Sequence, residues 1–347
     1  MQTLEIPEFL ELGRRNTIID VRSPGEYDKG HIPNAVNIPL FSNEERAKVG
    51  TSYKQCGREE ALQLGLKIVG PKLADFVTQS RQLNVKDHLL IHCWRGGMRS
   101  QSFSWLLDLA GLANLTLNKG YKNYRNFLMD QLSQPLKLIV LTGSTGSGKS
   151  DLLAYLKSKG EQVLELEELA CHKGSVFGGL GQPEQPSSEQ FQNNLFERFL
   201  EFEIDRPIWI EDESIGIGNV FIPEPLWHQM NKAPCVRIEL EKDERIQRLM
   251  NEYGMFPVDL LEEKIKRVAK RLGDKVAPTI DSLHSGDLKT TVSNLLFYYD
   301  KAYNNSIIKK PRRTIATFQL ESFELDKIYN DLLKIAEKQY PITKLHD

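Results

Sequence analysis

The chain has 347 residues, more than one ordinary domain contains, so we expect two domains that each bury a core of their own. Hydrophobic residues make up 40% of the sequence and charged residues 27%, which is typical of globular proteins and excludes a largely disordered chain. The formal net charge of -2 excludes attraction of a polyanion by the protein as a whole. A nucleic acid would therefore have to bind local clusters of cations.

The N-terminus carries acidic residues and no apolar signal core, and no stretch reaches the roughly 18 apolar residues that a membrane span needs. We therefore expect a cytoplasmic protein with no membrane partner. The cysteines show no CxxC pair, so neither a zinc site nor a disulfide framework is indicated. Any special cysteine would act alone, and the candidates are Cys56, Cys93, Cys171 and Cys235.

The first part of the chain alternates apolar runs with a helical pattern. Residues 17–21 and 88–93 read as buried strands, and residues 100–112 read as an amphipathic helix. Serine, glutamine and proline interrupt this pattern near residues 130–136. We therefore predict an N-terminal α/β domain over residues 1–132.

A second strand–loop–helix pattern begins at Leu136 and runs to residue 159, and another strand is predicted at residues 207–212. After about residue 241 the pattern becomes mostly helical. We therefore predict a second domain over residues 136–347, with parallel α/β architecture and a helical C-terminal part.

Cys93 ends the second predicted strand and stands directly before a helix. Backbone N–H groups and the positive end of a helix favour a thiolate at such a position, and Gly96 and Gly97 allow the loop to curl into an anion cradle. Arg95 and Arg99 add positive charge for a bound anion. We therefore predict that Cys93, Arg95 and Arg99 are catalytic; the alternative is an inert cysteine buried at the end of a strand.

Residues 18–40, IIDVRSPGEYDKGHIPNAVNIPL, resemble the opening signature of rhodanese-like domains, and the resemblance covers roughly residues 3–130. It implies a rhodanese-like fold, with Cys93 at the position of the persulfide-forming cysteine. The polar residues of the signature are interpreted as mainly structural, pairing with one another and fixing turns. They are Asp20, Arg22, Glu26 and His31.

The cysteine loop, CWRGGMRS, is one residue longer than the CxxGxRS of many rhodanese-like domains. We expect the longer loop to hold a larger ligand. Its C-x5-R spacing equals that of cysteine phosphatases related to this fold, so a tetrahedral, phosphate-like group is a plausible ligand. A phosphatase activity therefore stays open as an alternative.

Residues 143–150, GSTGSGKS, match the phosphate-loop pattern GxxxxGK[ST] between an apolar strand and a helix. Backbone N–H groups at Gly143, Gly146 and Gly148 would face phosphate oxygens, and Lys149 would neutralise the outer phosphates. The hydroxyl of Ser150 would ligate Mg²⁺. The second domain is therefore predicted to be P-loop NTPase-like.

The strand at residues 207–212 ends in acidic residues, as a Walker B strand does, so Glu211 or Asp212 is a candidate for holding a metal-bound water. The long polar loop at residues 171–191 lies between these motifs. Long loops in compact domains are commonly functional, so we expect a lid or a substrate-binding surface there. His172 and Lys173 of this loop are candidates for contacts with a nucleic acid.

Basic residues recur at helical spacing over residues 260–273, and residues 307–313 add four further cations. Such patches can follow an RNA backbone, although charged runs are often only solvated helix faces. We predict RNA contacts at Lys264, Arg267 and Arg271.

The order of the motifs, with CWRGGMRSQS followed by GSTGSGKS, HKGSVFGG and EDES, resembles the tRNA 2-selenouridine synthase family over essentially the whole length. The resemblance implies a transferase that acts on 2-thiouridine at the wobble position of the tRNA anticodon loop. It implies alkylation of the sulfur by geranyl diphosphate, followed by replacement with selenium from selenophosphate. An enzyme that supplies selenophosphate is a conceivable partner.

Two other functions fit the motifs. One is a sulfurtransferase or cysteine phosphatase fused to a P-loop kinase that acts on a small molecule. The other is a rhodanese-like domain that serves only for docking or regulation. Cys93 and Arg99 together argue against a docking module.

Overall fold

The computed structural model describes residues 2–83, 87–309, 313–320 and 325–341. The chain divides into two compact units, Met1–Gln131 and Leu132–Asp347. Among the described residues, no helix is both long enough and apolar enough to cross a membrane.

The first unit has a five-stranded parallel sheet with the order β1-β5-β4-β2-β3. The strands are β1 (Gln2–Leu4), β2 (Ile18–Asp20), β3 (Val36–Asn37), β4 (Leu89–His92) and β5 (Asn114–Leu117). The α-helices are α1 (Ile6–Gly13), α2 (Pro24–Lys29), α3 (Asn43–Gln55), α4 (Arg58–Val69), α5 (Leu73–Gln82), α6 (Met98–Leu109) and α7 (Gly120–Leu132).

The central strands β2, β4 and β5 are buried along their whole length, as inner strands of a parallel sheet commonly are. Ile19, Ile91 and Phe103 belong to one core cluster on the sheet. A parallel sheet places the carboxyl ends of its strands at one edge, where the loops to the following helices begin. Cys93, directly after β4, lies at this edge.

The signature residues pair partly with one another, as predicted, and partly with residues outside the signature. Asp20 and Arg22 form a fully buried ion pair, and the guanidinium also donates to the carbonyl oxygen of Gly30 at 2.7 Å. Glu26 instead pairs with an arginine outside the signature, as described below. His31 stacks on Tyr27, with ring centroids 3.8 Å apart.

The second unit has a parallel sheet with the order β12-β11-β6-β8-β7 and a short antiparallel ribbon of β9 and β10. The strands are β6 (Leu138–Thr142), β7 (Gln162–Leu164), β8 (Ile208–Glu211), β9 (Gly216–Ile217), β10 (Val220–Phe221), β11 (Cys235–Leu240) and β12 (Thr314–Leu320). The first α-helices are α8 (Lys149–Ser158), α9 (Leu166–Ala170), α10 (Ser188–Phe199), α11 (Glu224–Lys232) and α12 (Lys242–Tyr253). The remaining ones are α13 (Val258–Arg267), α14 (Ala269–Leu272), α15 (Val276–His284), α16 (Leu288–Lys309) and α17 (Leu325–Gln339).

The helical part is shorter than the sequence suggested, because β12 follows it and pairs with β11 as an edge strand of the sheet. The basic segment at residues 260–273 is also not one helix. It consists of α13 and α14, which are separated at Val268, where the backbone leaves helical geometry with φ -98° and ψ 7°. The cations that were predicted to lie on one helix are therefore divided between two.

Helices α12 to α16 enclose a core separate from the sheet. Phe177, Ile265 and Leu283 lie in it, so the long loop at residues 171–191 contributes to packing. Phe177 is buried, and its ring centroid lies 5.8 Å from that of Tyr253. The loop is thus anchored to the helical part.

Candidate functional site

The thiol of Cys93 is almost fully buried at the start of the loop between β4 and α6, with 3% exposure. Its Sγ lies 3.2 Å from the hydroxyl oxygen of Ser100, which is itself 3.2 Å from the carbonyl oxygen of Gly97. Ser100 lies in the first turn of α6, so this helix places a hydroxyl directly beside the thiol.

The cysteine loop packs closely on the N-terminus of α7. The backbone N–H of Tyr121 donates to the carbonyl oxygen of Cys93 at 2.9 Å, and that of Lys122 donates to Trp94 at the same distance. Gly96 has a φ of +64°, and a Cβ there would lie 2.8 Å from the backbone of Leu117. Only glycine fits this turn without strain.

The backbone N–H groups of residues 95–99 have no hydrogen-bond acceptor within the described part of the chain. They include Gly96, Gly97 and the first residues of α6. Unpaired N–H groups in a loop and at a helix N-terminus are the usual donors to a bound anion. The loop beside Cys93 can therefore bind an anion through its backbone.

The two predicted catalytic arginines differ in their surroundings. Arg95 is exposed and forms no ion pair with any described residue. The guanidinium of Arg99 is bound by Glu26, at 2.8 and 3.4 Å from its two carboxylate oxygens. Despite burial, the hydrogen bonds and charge of Arg99 hold the pKa of Glu26 below its usual value. Arg95 can therefore contact a bound anion directly. The guanidinium of Arg99, in contrast, is already bound to the carboxylate of Glu26 and stabilises the turn there.

In the second unit, β6 ends at Thr142 and α8 begins at Lys149, with the phosphate loop between them. Gly146 and Gly148 have φ values of +79° and +83°. A Cβ on Gly143 would lie 2.5 Å from a carbonyl oxygen of β11. All three predicted glycines therefore occupy places that a side chain would disturb.

The ammonium of Lys149 donates to the carbonyl oxygen of Gly143 at 2.8 Å, and Ser150 is exposed in the first turn of α8. Both line a cavity of about 1050 Å³ that also contains Arg237 and Arg248. A cavity of this size with lysine and arginine side chains around a helix N-terminus suits a diphosphate or a nucleotide.

Sequence reasoning missed the residue that holds the phosphate loop in place. Arg245, on α12, is 6% exposed; its Nε donates to the carbonyl oxygen of Thr145 at 2.8 Å, and its guanidinium pairs with Asp300 of α16. The loop is thus fixed to the helical part. Nothing in the local sequence around Arg245 indicates this contact, which joins residues 100 positions apart.

The two Walker B candidates have different roles in the structure. Asp212 accepts the hydroxyl of Thr142 at 2.6 Å, at the end of the strand that leads into the phosphate loop. Glu211 is 3% exposed and accepts the backbone N–H of Glu167 at 3.0 Å. Asp212 is therefore the carboxylate tied to the phosphate loop, whereas Glu211 fixes the start of α9.

Two further carboxyl groups, those of Glu167 and Glu213, line the same cavity and were not predicted. Burial raises the pKa of each, and the neighbouring carboxylates raise that of Glu213 further. Burial, together with the charge of Glu167, raises the pKa of Glu211 to about 8. These groups therefore hold protons at pH values at which ordinary glutamates are ionised.

Among the described residues, no group of three or more His, Cys, Asp or Glu side chains has the arrangement of a metal site. A P-loop magnesium ion needs few protein ligands, since phosphates and waters supply the rest. Ser150 and Asp212 both line the cavity, so their oxygens fit such an ion bound together with a diphosphate. The ion would screen the charge of the phosphates.

The predicted tRNA-binding residues are distributed over several elements. Arg267 pairs with Glu263 at 2.6 Å and is 60% exposed, and Arg271 donates to the hydroxyl of Tyr298 at 2.9 Å. The predicted contacts at residues 310–312 lie outside the described residues.

The remaining candidates, His172 and Lys173, lie at the start of the long loop. Burial lowers the pKa of His172, and the charge of Lys264 lowers it further. Lys173 forms an ion pair with Glu252. Their contacts with RNA stay a prediction.

The fold and these sites define a two-domain α/β protein that joins a rhodanese-like thiol loop to a P-loop phosphate site. The family model described as a rhodanese-like domain matches residues 6–127, and that of the tRNA 2-selenouridine synthase AAA domain matches residues 136–329.

The chain is similar to three proteins named tRNA 2-selenouridine synthase. That of Nitrosomonas europaea is 34% identical over 81% of this chain and 72% of the relative. That of Shewanella denitrificans is 36% identical over 79% and 74%, and that of Aeromonas salmonicida is 32% identical over 86% and 89%. The chain belongs to the tRNA 2-selenouridine synthase family.

The raised pKa of Glu211 predicts a pH dependence of stability. The carboxyl group titrates near 4.5 in an unfolded chain and at about 8 in the folded protein. Between these values the folded state binds the extra proton. Its contribution to the free energy of unfolding is therefore complete below about pH 4.5 and is lost as the pH rises toward 8.

Glu211→Gln should therefore lose less stability than the wild type between about pH 5 and about pH 8, because the amide does not titrate. Urea unfolding at both pH values, followed by pulsed hydrogen exchange in peptides from β6 and β8, measures this difference. The control is Glu184→Gln in the long loop at residues 171–191, where the residue is exposed. An equal pH dependence in Glu211→Gln and the wild type would show that Glu211 does not carry the shift.

Proposed function

We propose that this protein is a transferase that converts 2-thiouridine at the wobble position of tRNA to 2-selenouridine, with S-geranyl-2-thiouridine as the intermediate. The co-substrates are geranyl diphosphate and selenophosphate. The observation that carries the proposal is the presence of two different anion sites in one chain. One is a loop of unpaired N–H groups around a buried thiol, and the other is a phosphate loop facing a large cavity.

In the first step the sulfur of the base attacks C1 of the geranyl group, diphosphate leaves, and the base loses its N3 proton. The second unit supplies the groups that stabilise the leaving diphosphate, namely Lys149 and the N–H groups at the N-terminus of α8. A magnesium ion held near Ser150 would add charge stabilisation. The cations that line the P-loop cavity support assigning this step to it.

In the second step the thiolate of Cys93 displaces geranylthiolate from C2 of the base, and selenium of selenophosphate then displaces Cys93. Water cleaves the selenium–phosphorus bond and releases phosphate. Selenophosphate is a tetrahedral anion, so the N–H groups of residues 95–99 and the free guanidinium of Arg95 suit it. Ser100 keeps the thiol in place by its contact with Sγ.

The tRNA anticodon loop presents its wobble base unpaired, so no duplex has to be opened. As a protein that acts on tRNA it would work in the cytoplasm. The C-x5-R spacing also fits a cysteine phosphatase, but the arginine of that pattern, Arg99, is already bound by Glu26. The phosphatase alternative is therefore the weaker proposal.

Cys93→Ser should abolish selenium incorporation and leave geranylation largely unchanged, because only the second step needs the soft nucleophile. Nucleoside mass spectrometry of treated tRNA measures both products. The matched control is Cys56→Ser, since Cys56 is exposed and lies outside the site. Full selenation by Cys93→Ser would remove Cys93 from the mechanism.

Lys149→Ala should weaken binding of geranyl diphosphate more than binding of tRNA, because the ammonium faces a diphosphate and not the RNA. Calorimetry with each ligand measures the two affinities. Lys159→Ala, beyond the C-terminus of α8, removes the same charge away from the loop and serves as control. Loss of tRNA affinity with unchanged diphosphate affinity would contradict the assignment.

The tRNA contacts of the second unit should appear in the salt dependence of binding. Each phosphate contact removed lowers the magnitude of the slope of log K against log salt by roughly 0.7 to 0.9. Arg267→Gln with Arg271→Gln should therefore flatten the slope. Lys334→Gln with Lys338→Gln on α17 removes two exposed charges elsewhere and should leave it unchanged. Equal slopes for all three proteins would place the RNA contacts at other residues.

A further inference from the structure

A second, smaller cavity lies inside the helical part of the second unit. It has a volume of about 60 Å³ and is lined almost entirely by apolar side chains from α12, α13, α15 and α16, together with the long loop. Ile265, Leu283 and Leu296 are nine-tenths or more buried and stand in its wall. It interrupts an otherwise packed core, where cavities are costly unless something fills them.

This apolar cavity adjoins the phosphate-loop cavity. Five residues line both, and they are Thr145, Ser175, Leu249, Tyr253 and Tyr299. Thr145 belongs to the phosphate loop itself, so one end of the apolar cavity begins at the phosphate site. Burial raises the pKa of Tyr253 and raises that of Tyr299 to about 12, so both phenols stay uncharged where the cavities meet.

We infer that the apolar cavity binds the hydrocarbon tail of a prenyl diphosphate whose head group lies at the phosphate loop. The chemistry of the two cavities matches the two halves of such a molecule. The phosphate-loop cavity offers N–H groups and cations to the diphosphate, and the apolar cavity offers aliphatic walls to the hydrocarbon tail. The inference rests on the proposed function and locates the geranyl group within that site.

The size of the cavity limits the part of the tail that it holds. A single water occupies about 10 to 15 Å³ measured in this way. A cavity of about 60 Å³ therefore has room for about five carbon-sized groups, or one isoprene unit. The distal isoprene unit of a geranyl group would fill it, while C1 stays near the phosphate loop, where the sulfur must attack.

A nucleotide base fits this cavity less well. A base needs partners for its ring nitrogens and exocyclic groups, but the hydroxyl of Thr291 is already bound to Ser282 and to the carbonyl oxygen of Asp287. The other groups in the cavity's interior, such as Leu288 and Leu295, are aliphatic. Burying a polar base edge against them without hydrogen bonds is unfavourable.

Val292→Phe tests the inference, because Val292 lines the apolar cavity and not the phosphate-loop cavity. The larger side chain should lower the affinity for geranyl diphosphate about tenfold or more, the loss expected when roughly two methylene groups are kept out of an apolar site. Affinities for inorganic pyrophosphate and for dimethylallyl diphosphate, which lacks the second isoprene unit, should stay unchanged. Calorimetry on the full chain measures all three.

Val258→Phe, an equal change at an exposed position at the start of α13, is the matched control. Leu295→Ala enlarges the apolar cavity. Compared with the wild type, this variant should therefore show a higher affinity for the fifteen-carbon farnesyl diphosphate relative to its affinity for geranyl diphosphate. This gain cannot result from misfolding. Unchanged pyrophosphate binding in both cavity variants shows in addition that the phosphate loop is intact.

The outcomes separate this inference from the proposed function. If the wild type transfers the geranyl group and Val292→Phe binds geranyl diphosphate equally well, the tail lies elsewhere, although the donor assignment stands. Equal wild-type affinities for pyrophosphate and geranyl diphosphate would also overturn the inference. If the wild type binds ATP but neither binds nor transfers the geranyl group, the proposed donor is wrong and the inference fails with it.

Discussion

Both candidate sites depend on backbone N–H groups at the point where a buried parallel strand gives way to a helix. After β4 these groups surround Cys93, and after β6 they form the phosphate loop before Lys149. A parallel sheet presents all such ends at one edge, and the first N–H groups of each helix have no partner within it. The same constraint therefore places a candidate anion site in each unit, and the side chains at each loop distinguish the two.

The side chains at the two candidate sites differ in their chemical reactivity. Beside the first loop lie a thiol, a serine hydroxyl and an exposed arginine, which together suit nucleophilic displacement at a soft centre. Beside the second lie a lysine and buried carboxyl groups that retain protons, which suit the departure of a diphosphate. One sheet architecture thus carries two candidate sites with different side-chain chemistry.

The sequence predicted the elements that carry strong local signals. The strands at β4, β6 and β8 and the phosphate loop were identified because apolar runs and glycine spacing are visible within a few residues. The family resemblance and the fold class are confirmed. The predicted site residues have plausible surroundings, and their roles stay predictions.

Contacts between distant residues escaped prediction. Arg245 reaches the phosphate loop across 100 positions, and Glu167 joins Glu211 only because α9 begins beside the end of β8. The basic segment was read as one helix because its cations recur at helical spacing, but periodicity does not show the break at Val268. The strand β12 was missed although TIATFQL is rich in β-branched residues, since the preceding long helix dominated the pattern.

The helical part has two structural roles that the P-loop motif alone does not reveal. Through Arg245 and Asp300 it fixes the phosphate loop, and through the walls of the apolar cavity it supplies a compartment directly beside that loop. A phosphate loop by itself binds any diphosphate, because it contacts only oxygens shared by all of them. Discrimination must then come from what surrounds the rest of the ligand, and differential burial of an apolar tail is worth about tenfold for each one to two methylene groups. Under the proposed function, the packing of α12 to α16 rather than the glycine motif would determine the choice of donor.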